Sequence, residues 1–221
     1  MTPFPRSPRL LKGGLVLIDP TTAAVLRIIV LQYNPDTLTR SFQIQAVGQE
    51  GGDRSEAFRI KGPPVETFKL DAEIDVTDQL ELPDQGQNRV ATELGLHPQL
   101  AALETIVYPP SARLLENNRL AKAGTLEIAP VEAPLTLFIW SKTRILPVRL
   151  TELSVTEEAF DPALNPIRAK VSLGMRVLSV QDVGFDHKGG NLYMNYHQEK
   201  ERLAVKLSGG AINALGIGGI P

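Results

Sequence analysis

Cysteine is absent from the 221-residue chain. That excludes disulfides, thiolate metal sites and cysteine nucleophiles, and it suits a cytoplasmic protein or a particle component indifferent to redox conditions. Aromatic residues make up only 5% of the chain, with a single tryptophan. They are not interleaved with basic clusters, so the stacking platform of a single-strand nucleic-acid binder is missing. Neither sign of charge is in excess: 23 Lys and Arg stand against 25 Asp and Glu, a net charge of −2. Nothing global draws the chain onto nucleic acid or an anionic membrane. Long hydrophobic runs are lacking too. The densest, Ala23 to Leu31, is interrupted by Arg27 and falls far short of the roughly 20 apolar residues of a membrane-spanning helix. Met1 to Leu11 carries Pro3, Pro5 and Pro8 and no apolar centre, which is not the pattern of a signal peptide.

Recognisable chemistry is equally sparse. His97, His187 and His197 are the only histidines, and none has a histidine partner three or four residues away, the spacing of a helical zinc site. They read as a turn histidine and surface histidines. Glu157, Glu158 and Asp161 sit in a Pro-rich stretch, where capping, turn or ion-pair roles fit better than acid–base catalysis. Gly48, Gly51 and Gly52 lack the Lys-Ser/Thr of a phosphate loop, and Gly189-Gly190 lacks a preceding strand with GxGxxG. No serine sits in a nucleophile-elbow pattern. The expectation is a protein that is not an enzyme, with no catalytic residue, no metal ligand and no cofactor.

What is present is β pattern. Hydrophobic residues make up 43% of the chain, enough for a sizeable core. Strands are predicted at Leu15–Ile18, Val25–Gln32, Leu38–Ile44, Phe68–Thr77, Leu135–Trp140, Ile145–Val155 and Ile167–Val177 from β-branched content, alternation and flanking turn residues. Helices are predicted at Asn88–Leu94, Pro98–Val107 and Asn191–Leu207, the last with Asn191 as N-cap. Ser111 to Ala133 reads as an extended loop with a short strand near Leu126–Ile128. Organisation follows: a Pro-rich arm over 1–12, one domain over 13–207 with insertions at about 46–64 and 108–134, and a Gly-rich tail over 208–221, ordered only if something captures it.

Two strands alternate throughout. Phe68, Leu70, Ala72, Ile74 and Val76 face one way, and Lys69, Asp71, Glu73 and Asp75 the other. Ile167, Ala169, Val171, Leu173, Met175 and Val177 oppose Arg168, Lys170 and Arg176. A period of two buries one face and wets the other. The wet faces read either as plain solvated sheet or as surfaces that line a channel or meet a neighbouring subunit.

Three stretches carry a resemblance. The first is Leu31-Gln32-Tyr33-Asn34-Pro35-Asp36 through Phe42. The second is Pro134–Trp140 with Leu146-Pro147-Val148-Arg149-Leu150, continuing to Phe160-Asp161-Pro162-Ala163-Leu164-Asn165-Pro166-Ile167-Arg168-Ala169. The third is Tyr193-Met194-Asn195-Tyr196-His197-Gln198. Together they resemble the tube-protein domain of the LysM-bearing hub or tube-initiator proteins of extracellular contractile injection systems, over about residues 12 to 207. The resemblance implies a mainly β, α+β fold with one or two helices, a split antiparallel β-barrel of the tail-tube type. It implies a ring of copies, six-fold in that family, at the junction of spike–hub and inner tube, templating tube growth. The implied partners are copies of the chain and adjacent tube, hub and baseplate proteins, with neither nucleic acid nor direct membrane insertion. The implied location is the cytoplasm during assembly and then the particle. On this reading Tyr33, Asn34, Pro35, Phe160, Asp161, Asn165 and Pro166 are structural motif residues. The seven charged strand residues face the lumen or a neighbouring subunit. No LysM module is expected after Leu207. The alternatives are an inner-tube or virion protein repeated along the tube and, further off, an envelope hydrolase borne by the particle.

Overall fold

A computed structural model describes residues 11–46, 59–124, 133–207, 209–210, 214 and 216–220. Seven strands form one antiparallel sheet: β1 (Gly14–Ile18), β2 (Val25–Val30), β3 (Thr39–Gln43), β4 (Val65–Asp75), β5 (Leu135–Ser141), β6 (Arg144–Phe160) and β7 (Pro166–Val177). Their order across the sheet is β2-β1-β5-β6-β7-β4-β3. Among the described residues six α-helices accompany them: α1 (Thr77–Leu80), α2 (Arg89–Leu94), α3 (His97–Glu104), α4 (Ser111–Lys122), α5 (Val180–Val183) and α6 (Lys188–Val205). The class is mainly β, α+β, as expected, with more helices than the one or two anticipated. The sheet is not closed into a barrel.

The sheet curls strongly all the same. Phe68 of β4 and Phe138 of β5 lie with ring centroids 5.5 Å apart, although β6 and β7 intervene in the strand order. The alternating apolar residues of β4 and β7 fill the concave side, where Phe68, Ala169, Val171 and Met175 are at most 1% exposed. Leu96, Leu100 and Leu103, from α3 and the residue before it, join the same core; they are three of the four residues whose i, i+4, i+7, i+11 spacing predicts an apolar stripe, while the fourth, Val107, lies past the end of α3 and is half exposed. A second, smaller cluster of Ile18, Leu135 and Leu137 packs with Leu178 and Leu192.

Side-chain amides tie the curl together where no ladder does. Gln32, just beyond β2, donates from Nε2 to the Asp75 carbonyl (2.6 Å) and accepts the Asp75 N–H at Oε1 (2.8 Å). The pair reproduces, with one side chain, the exchange of bonds that two strands would make. Asn34 does the same for the chain entering β1, accepting from Gly13 N (2.9 Å) and donating to the Leu11 carbonyl (2.7 Å).

Several expectations shift. Ser111–Lys122 is a helix, not loop: Pro109-Pro110 precede its first turn, where proline is tolerated, and its Ala, Leu, Arg, Glu and Lys residues favour helix. It buries no residue, so no apolar stripe announced it. The strand expected near Leu126–Ile128 lies outside the described residues, as do 47–58 of the first insertion. The N-cap of α6 is His187, whose Nδ1 accepts from Gly189 N at 3.0 Å, in place of Asn191. β6 runs through to Phe160, and only five residues separate it from β7.

Replacing Gln32 by Ala leaves the part-buried Asp75 N–H and C=O without their partner. The expected loss is about 1–3 kcal/mol, read as a lower urea midpoint at unchanged slope. An unchanged midpoint would show that the amide bridge does not hold the curl.

Candidate assembly surfaces

The two charged strand faces turn out to be one surface. β4 and β7 pair so that Asp75 stands opposite Arg168, Glu73 opposite Lys170 and Asp71 opposite Ser172. Arg168 reaches Asp75 at 2.8 Å and Glu73 at 3.6 Å. Lys170 pairs with Glu158 of β6 at 2.8 Å, and Lys69 with Glu152 at 3.2 Å. Asp71 accepts from the Ser172 hydroxyl. Arg176 lies apart from the rest and bonds Asp182 at 2.6 Å, which in turn accepts from Ser179 N and so caps α5. Glu158 takes one of the roles expected for it, an ion pair; the partners Glu152 and Asp182 were not among the residues expected. Opposite charges on neighbouring strands support the sheet modestly, and most of these pairs are open to water, where ion pairs contribute little. Asp75 is the exception, with a side chain only 15% exposed. Burial works to raise its carboxyl, but hydrogen bonds from Thr77 and the Arg168 guanidinium outweigh that and hold it below the usual carboxylate range.

The motif residues have local work. Asp161 Oδ1 accepts from Ala163 N and Asn165 N, both at 2.8 Å, and Oδ2 accepts from Asn165 Nδ2 at 2.8 Å. These bonds, the Asn165 side chain first, hold the Asp161 carboxyl below its ordinary range. They close the β6–β7 hairpin, where exposed Phe160 pairs with buried Pro166. The same turn receives the helical segment: the Pro166 carbonyl accepts from Leu96 N at 2.8 Å. Gly95 adopts φ +55, and a Cβ there would strike the Pro166 carbonyl and Asn165, so the junction of α2 and α3 requires glycine. Of the first motif, Asn34 ties down residues 11 and 13 as described. Tyr33 is half exposed beside Gln32, and Pro35 fixes φ as the chain leaves the turn.

A buried cluster escaped the sequence reading. Glu66 is 3% exposed on the concave face of β4. It accepts from Tyr196 Oη at 2.8 Å and Lys200 Nζ at 2.7 Å, both on α6, and Arg40 of β3 lies 3.2 Å away. Lys200 sits 4.0 Å from the Tyr196 ring centre, and Arg40 sits 5.0 Å from that of Phe42. Burial, reinforced by the Glu66 bond, raises the Tyr196 hydroxyl above its usual value. Burial also lowers Lys200, with Glu66 working against it. A buried charge needs partners of this kind, and here they fasten α6 to the edge of the sheet. Tyr196 belonged to the third stretch of the resemblance, but no local signal pointed to Glu66.

Among the described residues the two ends of the sheet are unpaired. β2 exposes Val25, Leu26, Ile28 and Val30, each more than half. At the other end, Phe42 is 46% exposed and the neighbouring Ile44 and Ile60 over 70%. Because Leu31 N bonds the Gly13 carbonyl and bonded pairs alternate along an antiparallel ladder, Ile28 and Val30 turn their backbone N–H and C=O toward the free edge. An open apolar edge of this kind is a template for another chain. The histidines stay peripheral: His187 caps α6, and His197 lies 3.4 Å from Glu201 and stacks on Tyr193. Gly189-Gly190 serves packing, since a Cβ on Gly190 would run into the Gly184 carbonyl. Among the described residues no group of three or more His, Asp or Glu is arranged to hold a metal ion, and no described helix is long and apolar enough to cross a membrane.

The chain is similar to chains in two structures of gene transfer agent particles. One is a chain in the tail of an empty gene transfer agent particle refined with C6 symmetry, the other a chain of the native gene transfer agent virion. Each is 12% identical, with a TM-score of 0.29, over 75% of this chain and 90% of the other. No protein-family model matches the chain, and no curated protein does. A likeness at this TM-score carries no functional argument, so function is argued from this chain's own residues.

Two predictions follow from the buried and half-buried charges. Replacing Glu66 by Leu strands Arg40 and Lys200. Because those two are 27% and 34% exposed, the loss should fall at the low end of the range for a broken buried pair, about 3 kcal/mol, and adding Lys200→Met should recover part of it. Denaturation midpoints of both variants test this; equal midpoints for wild type and Glu66→Leu would remove the cluster from the fold's support. Asp75 is held below the usual carboxylate range in the folded chain, so its contribution is intact above the ordinary aspartate pKa and is lost as pH falls through the folded value. Asp75→Asn should therefore flatten the acid limb of stability against pH, and an unaltered limb would refute the assignment.

Proposed function

We propose that the chain is a structural, non-enzymatic ring subunit of a phage-tail-like contractile injection system, placed between the spike or baseplate hub and the inner tube and templating tube growth. The observation that carries this is the open sheet: a curled seven-stranded sheet with two unpaired edge strands, one of them strongly apolar. A lone soluble domain normally shields such edges with charge, bulges or a covering element. Two different edges on one subunit allow head-to-tail contacts, and these close into a ring when the rotation per copy permits. The motif stretches that resemble tube-initiator domains support the same reading, because Gln32, Asn34, Asp161 and Asn165 hold the curl and the hairpin that such a ring would require.

The charged ladder has a defined place in this proposal. Six of its seven residues are bonded among themselves or to β6 and β7 of the same chain, and the seventh, Arg176, is bonded to Asp182. Each residue is matched within its own subunit, so the ladder suits a wet wall facing the lumen better than a surface awaiting partner charges. A protein repeated along the whole tube would use the same surfaces, and ring count separates the two readings.

Purified particles viewed by electron microscopy, with subunit copies counted by quantitative mass spectrometry, should show the chain as about one ring at the hub end of the tube. Many rings would favour the inner-tube reading, and absence from every particle would overturn both. Reversing Asp71, Glu73 and Asp75 to Lys sets them against Arg168 and Lys170 and lines the lumen with uncompensated positive charge; it should leave circular dichroism β-like, lower the denaturation midpoint and impair ring assembly. Intact assembly of that variant would count against the lumen assignment.

A further inference from the structure

Beside the free edge of β2 lies a cavity of about 530 Å³. One wall is β2 itself, where Ile28 and Val30 present unpaired backbone. The facing wall is α3, through Gln99 and Ala102, and the floor is Ile74 of β4 with Val171 of β7. Arg27 straps the two walls together, donating to the Ala102 carbonyl (3.1 Å) and Thr105 Oγ1 (2.5 Å). Lys12 is the one charged residue in the lining. Gln99 contributes to the lining with its Oε1 itself shielded from solvent. Among the described residues the β2 edge is a row of unmet donors and acceptors. What this slot lacks is an extended, uncharged peptide that brings its own N–H groups, the strand-addition mode of recognition.

The chain itself contains such a peptide. From Ala211 to Pro221 it carries no charged residue, it spaces Ile212, Leu215, Ile217 and Ile220 among small ones, and it has three glycines. Glycine lets a backbone approach closely, and the absence of charge matches a lining with a single cation. None of the described residues of the tail lines the slot, and Ile217 and Ile220 are 45% and 83% exposed. We propose that the C-terminal segment of one copy adds as a strand to the β2 edge of the next copy. The proposal needs two copies side by side, and to that extent it rests on the ring reading.

The cysteine-free sequence makes the test direct. Chains carrying only Ile217→Cys are mixed with chains carrying only Ala102→Cys under mild oxidation. The expected product is a disulfide-linked heterodimer at twice the 24.1 kDa chain mass, far in excess of either homodimer and abolished when Ile28→Pro removes an edge N–H. A double variant, Ile217→Cys with Ala102→Cys, should give linked multimers. If it gives only an intrachain disulfide, the tail serves its own slot and the proposal is overturned. No cross-link in assembled rings also overturns it while leaving the ring reading intact. Cross-linked pairs with no ring in any particle sink the ring reading alone.

Discussion

A curled sheet that stops short of closing must hold its two ends in place without a ladder between them. Here the task falls to the Gln32 amide, which exchanges two hydrogen bonds with the backbone of Asp75. The concave core depends on that fixed distance: Leu31 is buried next to the bridge, and Ile74 lines the cavity beside it. The same bridge spans the gap between the ends, and among the described residues the backbone of Ile28 and Val30 stays unclaimed.

Charge does different work on the two faces of β4. On the convex face, Lys69, Asp71 and Glu73 are matched in water-exposed pairs or by a hydroxyl. Their worth lies in keeping the face wet and evenly balanced more than in stability. On the concave face, Glu66 is removed from water and surrounded by two cations and a phenol. In that setting the loss of one partner is expensive, and the cluster fixes where α6 lies against β3 and β4. A single strand thus carries both a solvated surface and a buried polar tie, separated only by the alternation of side chains.

Much of the sheet was legible because it rests on local pattern. Alternation in Phe68–Thr77 and Ile167–Val177 located β4 and β7 and sorted their residues by face, and turn residues marked most strand ends. Pairing was not legible: nothing in the sequence near Asp75 says that Arg168, 93 positions away, lies beside it, so two separate charged faces merged into one only in the fold. The helix α4 was missed because it has no buried stripe, and pattern reading depends on burial. Glu66 was missed because a lone acid in a strand looks like any wet-face residue; its environment comes from α6, 130 residues further on. The motif stretches were recognised as such, yet their physical tasks became visible only as hydrogen bonds from Asn34 and Asp161.

β6 spans 17 residues, about 58 Å at the rise of an antiparallel strand, and it is shared by two partners: its first residues pair with β5 and the remainder with β7. A pull along this strand loads the ladder to β7 in shear, so many hydrogen bonds must yield together. A pull on β2 peels a six-residue edge one bond at a time. The domain is therefore mechanically anisotropic, with a stiff spar along β6 and β7 and a compliant flap at β1 and β2. Axial force would travel through the spar, while the flap remains free to adjust to whatever lies beside it.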